Sequence, residues 1–75
     1  SPSPEDEVLR RERTRQLRQA LDTLGSVEQL LFYRKYYYLQ STAQIAAEMG
    51  LSERAVEGRL YRLRRRLQKA MGGDA

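Results

Sequence analysis

The last third of the chain leaves little freedom of fold. Val56, Leu60, Leu63 and Leu67 recur at intervals of four, three and four residues. At about 100° per residue they fall within roughly 60° of one another, so they make one apolar stripe on a helix. Ser52 stands in the capping position before them, and Gly72-Gly73 follow where a helix should stop. The pattern predicts a helix from about Glu53 to Met71. Its opposite face collects Arg54, Gly58, Tyr61, Arg62, Arg65 and Lys69. Glu57 and Arg64 lie on one flank, Arg59 and Arg66 on the other.

Three further helices are expected to cover that stripe. The first runs over about 4–24, with Ser3 as its cap and Pro4 at its first position. Only Val8 and Leu9 are apolar in its front half. Leu17, Leu21 and Leu24 form a stripe in its back half, and Gly25 is expected to end it. Ser26-Val27-Glu28-Gln29 reads as a capping box for a helix over about 27–38. Four of the five tyrosines lie in it (Tyr33, Tyr36, Tyr37, Tyr38). Ser41-Thr42-Ala43-Gln44 is a third box, for a short helix over about 42–49 that buries Ile45, Ala46 and Met49. The expected fold class is all-α: four helices (4–24, 27–38, 42–49, 53–71), no strands and no internal repeat. Residues 1–4 read as a linker or an expression remnant, 5–71 as the domain and 72–75 as a flexible tail.

The spacing from Ala46 to Gly50 to Val56 is that of a helix-turn-helix. Two steeply crossing helices approach closely, so the first needs a small residue at the contact, here Ala46. The turn needs a residue that tolerates positive φ, here Gly50. Val56 fills the angle between the helices. Small and apolar residues are common, and the spacing alone is weak evidence. The Ser cap and the basic helix that follow make it a strong signal.

Charge separates along the chain in the same way. Arg54 to Lys69 hold seven basic residues and one acid, Glu57, for a local charge of +6. Residues 1–53 sum to −1, and the whole chain carries +4 with a pI near 9.9. A concentrated basic helix face is either a solvated surface or a phosphate-binding one.

Several functions are excluded by what is missing. The 75 residues contain no cysteine and no histidine. That removes disulfides, zinc knuckles, thiol nucleophiles, histidine metal sites and Ser-His triads. A chain this short buries only about 60% of its unfolded surface, so a deep active site is hard to build. No paired carboxylates suggest a cleft. No apolar run exceeds four residues, so no membrane span is expected. The expectation is a cytoplasmic binding module, not an enzyme, without cofactor or metal.

The candidate DNA-binding residues are Ser52, Arg54, Glu57, Gly58, Tyr61, Arg62 and Arg65. Arginine pairs bidentately with guanine or holds phosphate. Tyr61 suits a thymine methyl or a sugar. Glu57 either accepts from a cytosine amino group or orients Arg54 or Tyr61. Gly58 costs about 1 kcal/mol against alanine inside a helix, which suits either close approach to DNA or a packing contact. Arg34, Lys35, Arg59 and Lys69 are candidates for DNA-backbone or partner contacts. The tyrosines beside Arg34 and Lys35 can stack on single-stranded bases or join the core. Core is expected for Phe32 and at least two tyrosines.

From about Leu17 to Leu67 the sequence resembles region four of extracytoplasmic-function sigma factors of bacterial RNA polymerase. The resemblance rests on Ala20-Leu21-Asp22-Thr23-Leu24, Phe32-Tyr33-Arg34-Lys35-Tyr36-Tyr37, the run from Gln44 to Ser52, and the run from Ala55 to Arg62. The acidic Ser-Pro-Glu-Asp-Glu opening looks like that family's interdomain linker. The resemblance implies that the last helix binds the −35 promoter element in double-stranded DNA. Arg54, Glu57, Gly58, Tyr61 and Arg62 would face the promoter. It also implies docking on the β-subunit flap of RNA polymerase core and masking by anti-sigma proteins. Gly25, Ala55 and Glu57 depart from the residues common in the family, which are Pro, Thr and Lys or Arg. Such factors also use a second domain for the −10 element, so an excised domain is expected, with a stand-alone regulator as the alternative.

Two other readings stay open. A LuxR-like response-regulator effector domain shares four helices and a similar motif. A protein-interaction module would use its leucine stripe on a partner such as an anti-sigma factor.

Overall fold

The computed structural model describes residues 4–72. The Ser3 cap, most of the linker, Gly73 and the rest of the tail lie outside them. The helices are α1 (Pro4–Asp22), α2 (Ser26–Phe32), α3 (Thr42–Met49) and α4 (Glu53–Ala70). A π-helical segment, Tyr33–Tyr37, continues α2. Among the described residues there is no strand.

The apolar stripes meet as the periodicity requires. Val56, Leu60, Leu63 and Leu67 are all buried on α4. Ile45 and Ala46 of α3, Leu31 of α2, and Ala20, Leu21 and Leu24 at the end of α1 close over them. Leu17, Phe32, Met49 and Leu51 pack on the margin of this cluster. The front half of α1 has no such stripe, and Val8 and Leu9 stay exposed. It projects from the body, which extends the molecule to 44 Å. Ion pairs from Arg11 to Glu7 and from Arg15 to Glu12 lie along it. The hydrogen bond from Arg15 holds the Glu12 carboxyl below its ordinary value. Exposed pairs of this kind contribute little to stability.

The α3–α4 turn forms as its residues dictate. Gly50 adopts φ +68, and its N–H donates to Ala46 O. The N–H of Leu51 donates to the same carbonyl at 2.9 Å. Ser41 Oγ accepts from Gln44 N at 3.1 Å, and Ser52 Oγ from Ala55 N at 3.0 Å. Both caps satisfy amides that a helix start leaves free.

The junction of α1 and α2 departs from expectation. Helix α1 stops at Asp22, and Thr23 and Leu24 complete it with tighter turns onto Ala20 O and Leu21 O. Gly25 is extended and is itself the cap of α2, so Ser26 is inside the helix and makes no cap bond. Gln29 does reach back, but across the junction: its Nε2 donates to Leu21 O at 2.8 Å and Leu24 O at 3.3 Å. These carbonyls lie at the frayed end of α1, where Leu21 O otherwise accepts only the tight turn from Leu24 N–H, and satisfying them outweighs a reciprocal box on Ser26.

The second correction concerns the tyrosines. Phe32 is partly buried against the core, whereas Tyr33, Tyr36, Tyr37 and Tyr38 are all exposed. The π segment adds a residue to the turn, so the α-helical spacing behind the core assignment no longer holds there. Instead the rings pack edge-on along the surface, Tyr33 on Tyr37 at 6.3 Å and Tyr37 on Tyr38 at 5.1 Å between centroids. Leu39 then closes the segment at φ +58 and is 81% exposed. Left-handed backbone costs a side-chain-bearing residue about 1–2 kcal/mol. Leu39→Gly is therefore expected to raise the unfolding free energy in urea by about 1 kcal/mol, since it removes strain and no buried contact. An unchanged or lowered value would mean that Leu39 returns that cost in packing.

Candidate nucleic-acid interface

Burial of the α4 stripe decides which residues face outward. Arg54, Glu57, Tyr61, Arg62, Arg65 and Lys69 are exposed, and Gly58 is half-buried. All of them except Glu57, which sits at the flank, occupy the side opposite Val56 and Leu63. Ser52 is exposed at the start of the same helix, with its oxygen engaged in the cap. The face is convex and needs no pocket. A shallow concavity elsewhere is lined by α1 residues alone, including Arg11, Arg15 and Arg18.

Within the face, two arginines are already placed. Arg65 Nη1 donates to Tyr61 Oη at 3.2 Å, and its guanidinium carbon lies 5.8 Å from the ring centroid. Arg62 folds back across Gly58: a Cβ at position 58 would sit 3.5 Å from Arg62 Nη1 and 3.9 Å from Nη2. These are ordinary contacts with the flexible end of a side chain, so packing does not require glycine here. Gly58→Ala is expected to raise stability by about 1 kcal/mol through helix propensity, measured by urea unfolding. It is also expected to weaken duplex binding by holding the helix backbone off the DNA. Unchanged duplex affinity would exclude the close-approach role.

Glu57 pairs with neither of the partners expected for it. Among the described residues it makes no hydrogen bond or ion pair, and the Tyr61 oxygen is taken by Arg65. Arg54 is likewise unpaired among the described residues. The carboxylate therefore stands free at the edge of a basic face.

The four outlying candidates divide. Arg34 does not reach the α4 face. Its Nη1 donates to Glu48 Oε2 at 2.6 Å and Gln40 Oε1 at 3.2 Å, and its Nε is buried without a partner. It ties the π segment to α3. Arg59 leans to the other side, with Nη1 3.9 Å from Glu28 Oε1 on α2. Lys69 is exposed in the last turn of α4. Lys35 Nζ lies 3.5 Å from Thr42 Oγ1 at the start of α3. A cation there sits at the positive end of the helix dipole, so an anion beside it would be favoured by both.

One basic residue outside the candidate set borders the α4 face. Arg64, on the Glu57 flank, donates from Nη1 to Tyr36 Oη at 2.8 Å. Helical geometry gives its flank, but nothing local in sequence signals a partner 28 residues away. Among the described residues no group of acidic or other ligating side chains could hold a metal ion. None of their helices is long and apolar enough to cross a membrane.

The model of the family described as sigma-70, region 4, matches residues 14–67, more than two thirds of the chain. That span takes in the back half of α1 and ends at the last leucine of the α4 stripe. No curated protein matches the sequence.

Proposed function

We propose a function from the premise that the chain belongs to the sigma-70 region 4 family: it reads the −35 element of a promoter in duplex DNA with α4. Family membership itself implies promoter DNA and RNA polymerase as partners, in a regulatory domain and not a known enzyme family. The observation that carries the finer reading is the division of α4. Four buried side chains fix the helix to the body, and the side opposite them presents Arg54, Gly58, Tyr61, Arg62 and Arg65 together. A helix so mounted fits a major groove about 12 Å wide. In this reading Arg62 and Arg54 pair with guanine or phosphate. The free Glu57 carboxylate suits a cytosine amino group and repels phosphate, so it favours sites that offer that donor. Lys35 and Lys69 supply phosphate contacts at the edges.

Docking on the β flap of polymerase core, masking by an anti-sigma protein, placement in the extracytoplasmic-function branch and a cytoplasmic location belong to the same proposal. They rest on the four sequence stretches that resemble that branch. A second reading, protein interaction, is favoured by one observation: Tyr37 and Tyr38 are 72% and 66% exposed beside Leu39. It places the partner on the π segment and not on the α4 stripe, which is spent in the core.

The test is selection from a random duplex pool at low and moderate salt. A single enriched motif whose retention falls as salt rises supports the reading. Retention with no enriched sequence would contradict autonomous sequence recognition.

A further inference from the structure

We infer that Tyr61 and Arg65 form a two-donor clamp for a DNA phosphate, with Tyr61 acting through its hydroxyl hydrogen. The inference rests on the DNA-binding reading above and assigns a division of labour within the same face. Arg65 Nη1 donates to Tyr61 Oη at 3.2 Å. Arginine has donors only, so the phenol oxygen accepts and its own hydrogen is not spent inside the pair. Neither side chain has another partner among the described residues, and Tyr61 is 54% exposed. The pair therefore leaves a phenol O–H and the remaining guanidinium N–H groups side by side at the surface. Accepting from a cation also polarises the phenol and strengthens its O–H as a donor.

Two adjacent donors, one of them cationic, suit the oxygens of a phosphate. A base edge offers such acceptors only at particular base pairs, whereas every nucleotide offers a phosphate. Position along the helix favours the phosphate. Recognition helices touch base edges with their N-terminal residues. Arg65 lies twelve residues beyond Glu53, which is about 18 Å of helix at 1.5 Å per residue. That length exceeds the groove width of about 12 Å. A helix seated by its first turns carries Arg65 to the groove wall. Tyr61 goes with Arg65 to the phosphate because the two share a hydrogen bond, as a positioning and phosphate-donating residue. The Arg62 guanidinium instead folds back beside Gly58 toward the helix start and is left with Arg54 and Glu57 for base reading.

The experiment compares the parent chain with Tyr61→Phe, Arg65→Gln and the double variant. Binding is measured on the random duplex pool and on the duplex that selection enriches, across a salt series. Both positions are exposed, and the melting curves should match the parent's. Tyr61→Phe is expected to weaken binding about tenfold on both DNA samples, as for loss of a hydrogen bond to a charged group. Arg65→Gln should reduce the salt slope by about 0.9, the value for one phosphate contact. In the double variant the tyrosine change should cost less than it does in the parent, because nothing orients the hydroxyl. Losses confined to the enriched duplex would make Tyr61 a base reader and overturn the clamp. Unchanged binding of Tyr61→Phe, or losses that multiply independently, would also overturn it. A parent that retains DNA without enriching a motif contradicts the sequence-specific reading instead, and the clamp is still judged on the pool. A parent that binds no duplex overturns both.

Discussion

Val56→Asp should leave the chain unfolded. Val56 is fully buried at the centre of the cluster where α3 and α4 meet. Replacing it forfeits about 1.5–3 kcal/mol of apolar burial and places a carboxyl where no partner exists. An unpaired buried charge costs several kcal/mol more, or the group protonates and remains an unsatisfied polar one. A domain of this size has only about 4–11 kcal/mol of total stability. Thermal melting followed by circular dichroism should show low helicity and no cooperative transition. Val56→Ala supplies the control, with a cooperative melt at reduced stability. A cooperative transition in Val56→Asp like the parent's would refute the core, and with it the orientation of α4.

Arg62→Ala is expected to cost about 1–3 kcal/mol at an enriched duplex and far less on unrelated sequence. Arg62 lies on the outward face with its guanidinium beside Gly58, one turn nearer the helix start than Arg65, and the proposed reading assigns it to a base edge. Equilibrium titrations on the two duplexes separate the roles. Equal loss on both would make Arg62 a phosphate ligand and remove it from base reading.

Much of the architecture was legible because it follows from local rules. The α4 stripe, the Ser41 and Ser52 caps and the left-handed Gly50 are each dictated by spacing and side-chain chemistry within a few residues. The outward face of α4 followed from the same periodicity. Where the sequence misled, a tertiary demand had won. Gln29 serves the Leu21 and Leu24 carbonyls at the end of α1 and beyond it, so the box it would have closed on Ser26 does not form. The aromatic run at 32–38 has α-helical spacing in the sequence, but its π widening changes that spacing and the tyrosines are exposed. Leu39 takes a conformation usually left to glycine, which composition does not announce. The roles of Arg34, Arg59 and Arg64 depend on Glu48, Glu28 and Tyr36, at sequence separations for which no helical rule exists. By contrast, the Tyr61–Arg65 contact lies at i, i+4 and was open to prediction from the sequence.

The claim that α4 meets DNA with its outward face is tested most directly by titrating the isotope-labelled chain with its enriched duplex and following every backbone amide by NMR. The account predicts that the largest shifts fall on residues 52–65 and at the start of α3, while Tyr37, Tyr38 and the front half of α1 stay in place. Shifts centred on Tyr37 to Leu39, with α4 unmoved, would contradict it and make the tyrosine surface the binding site.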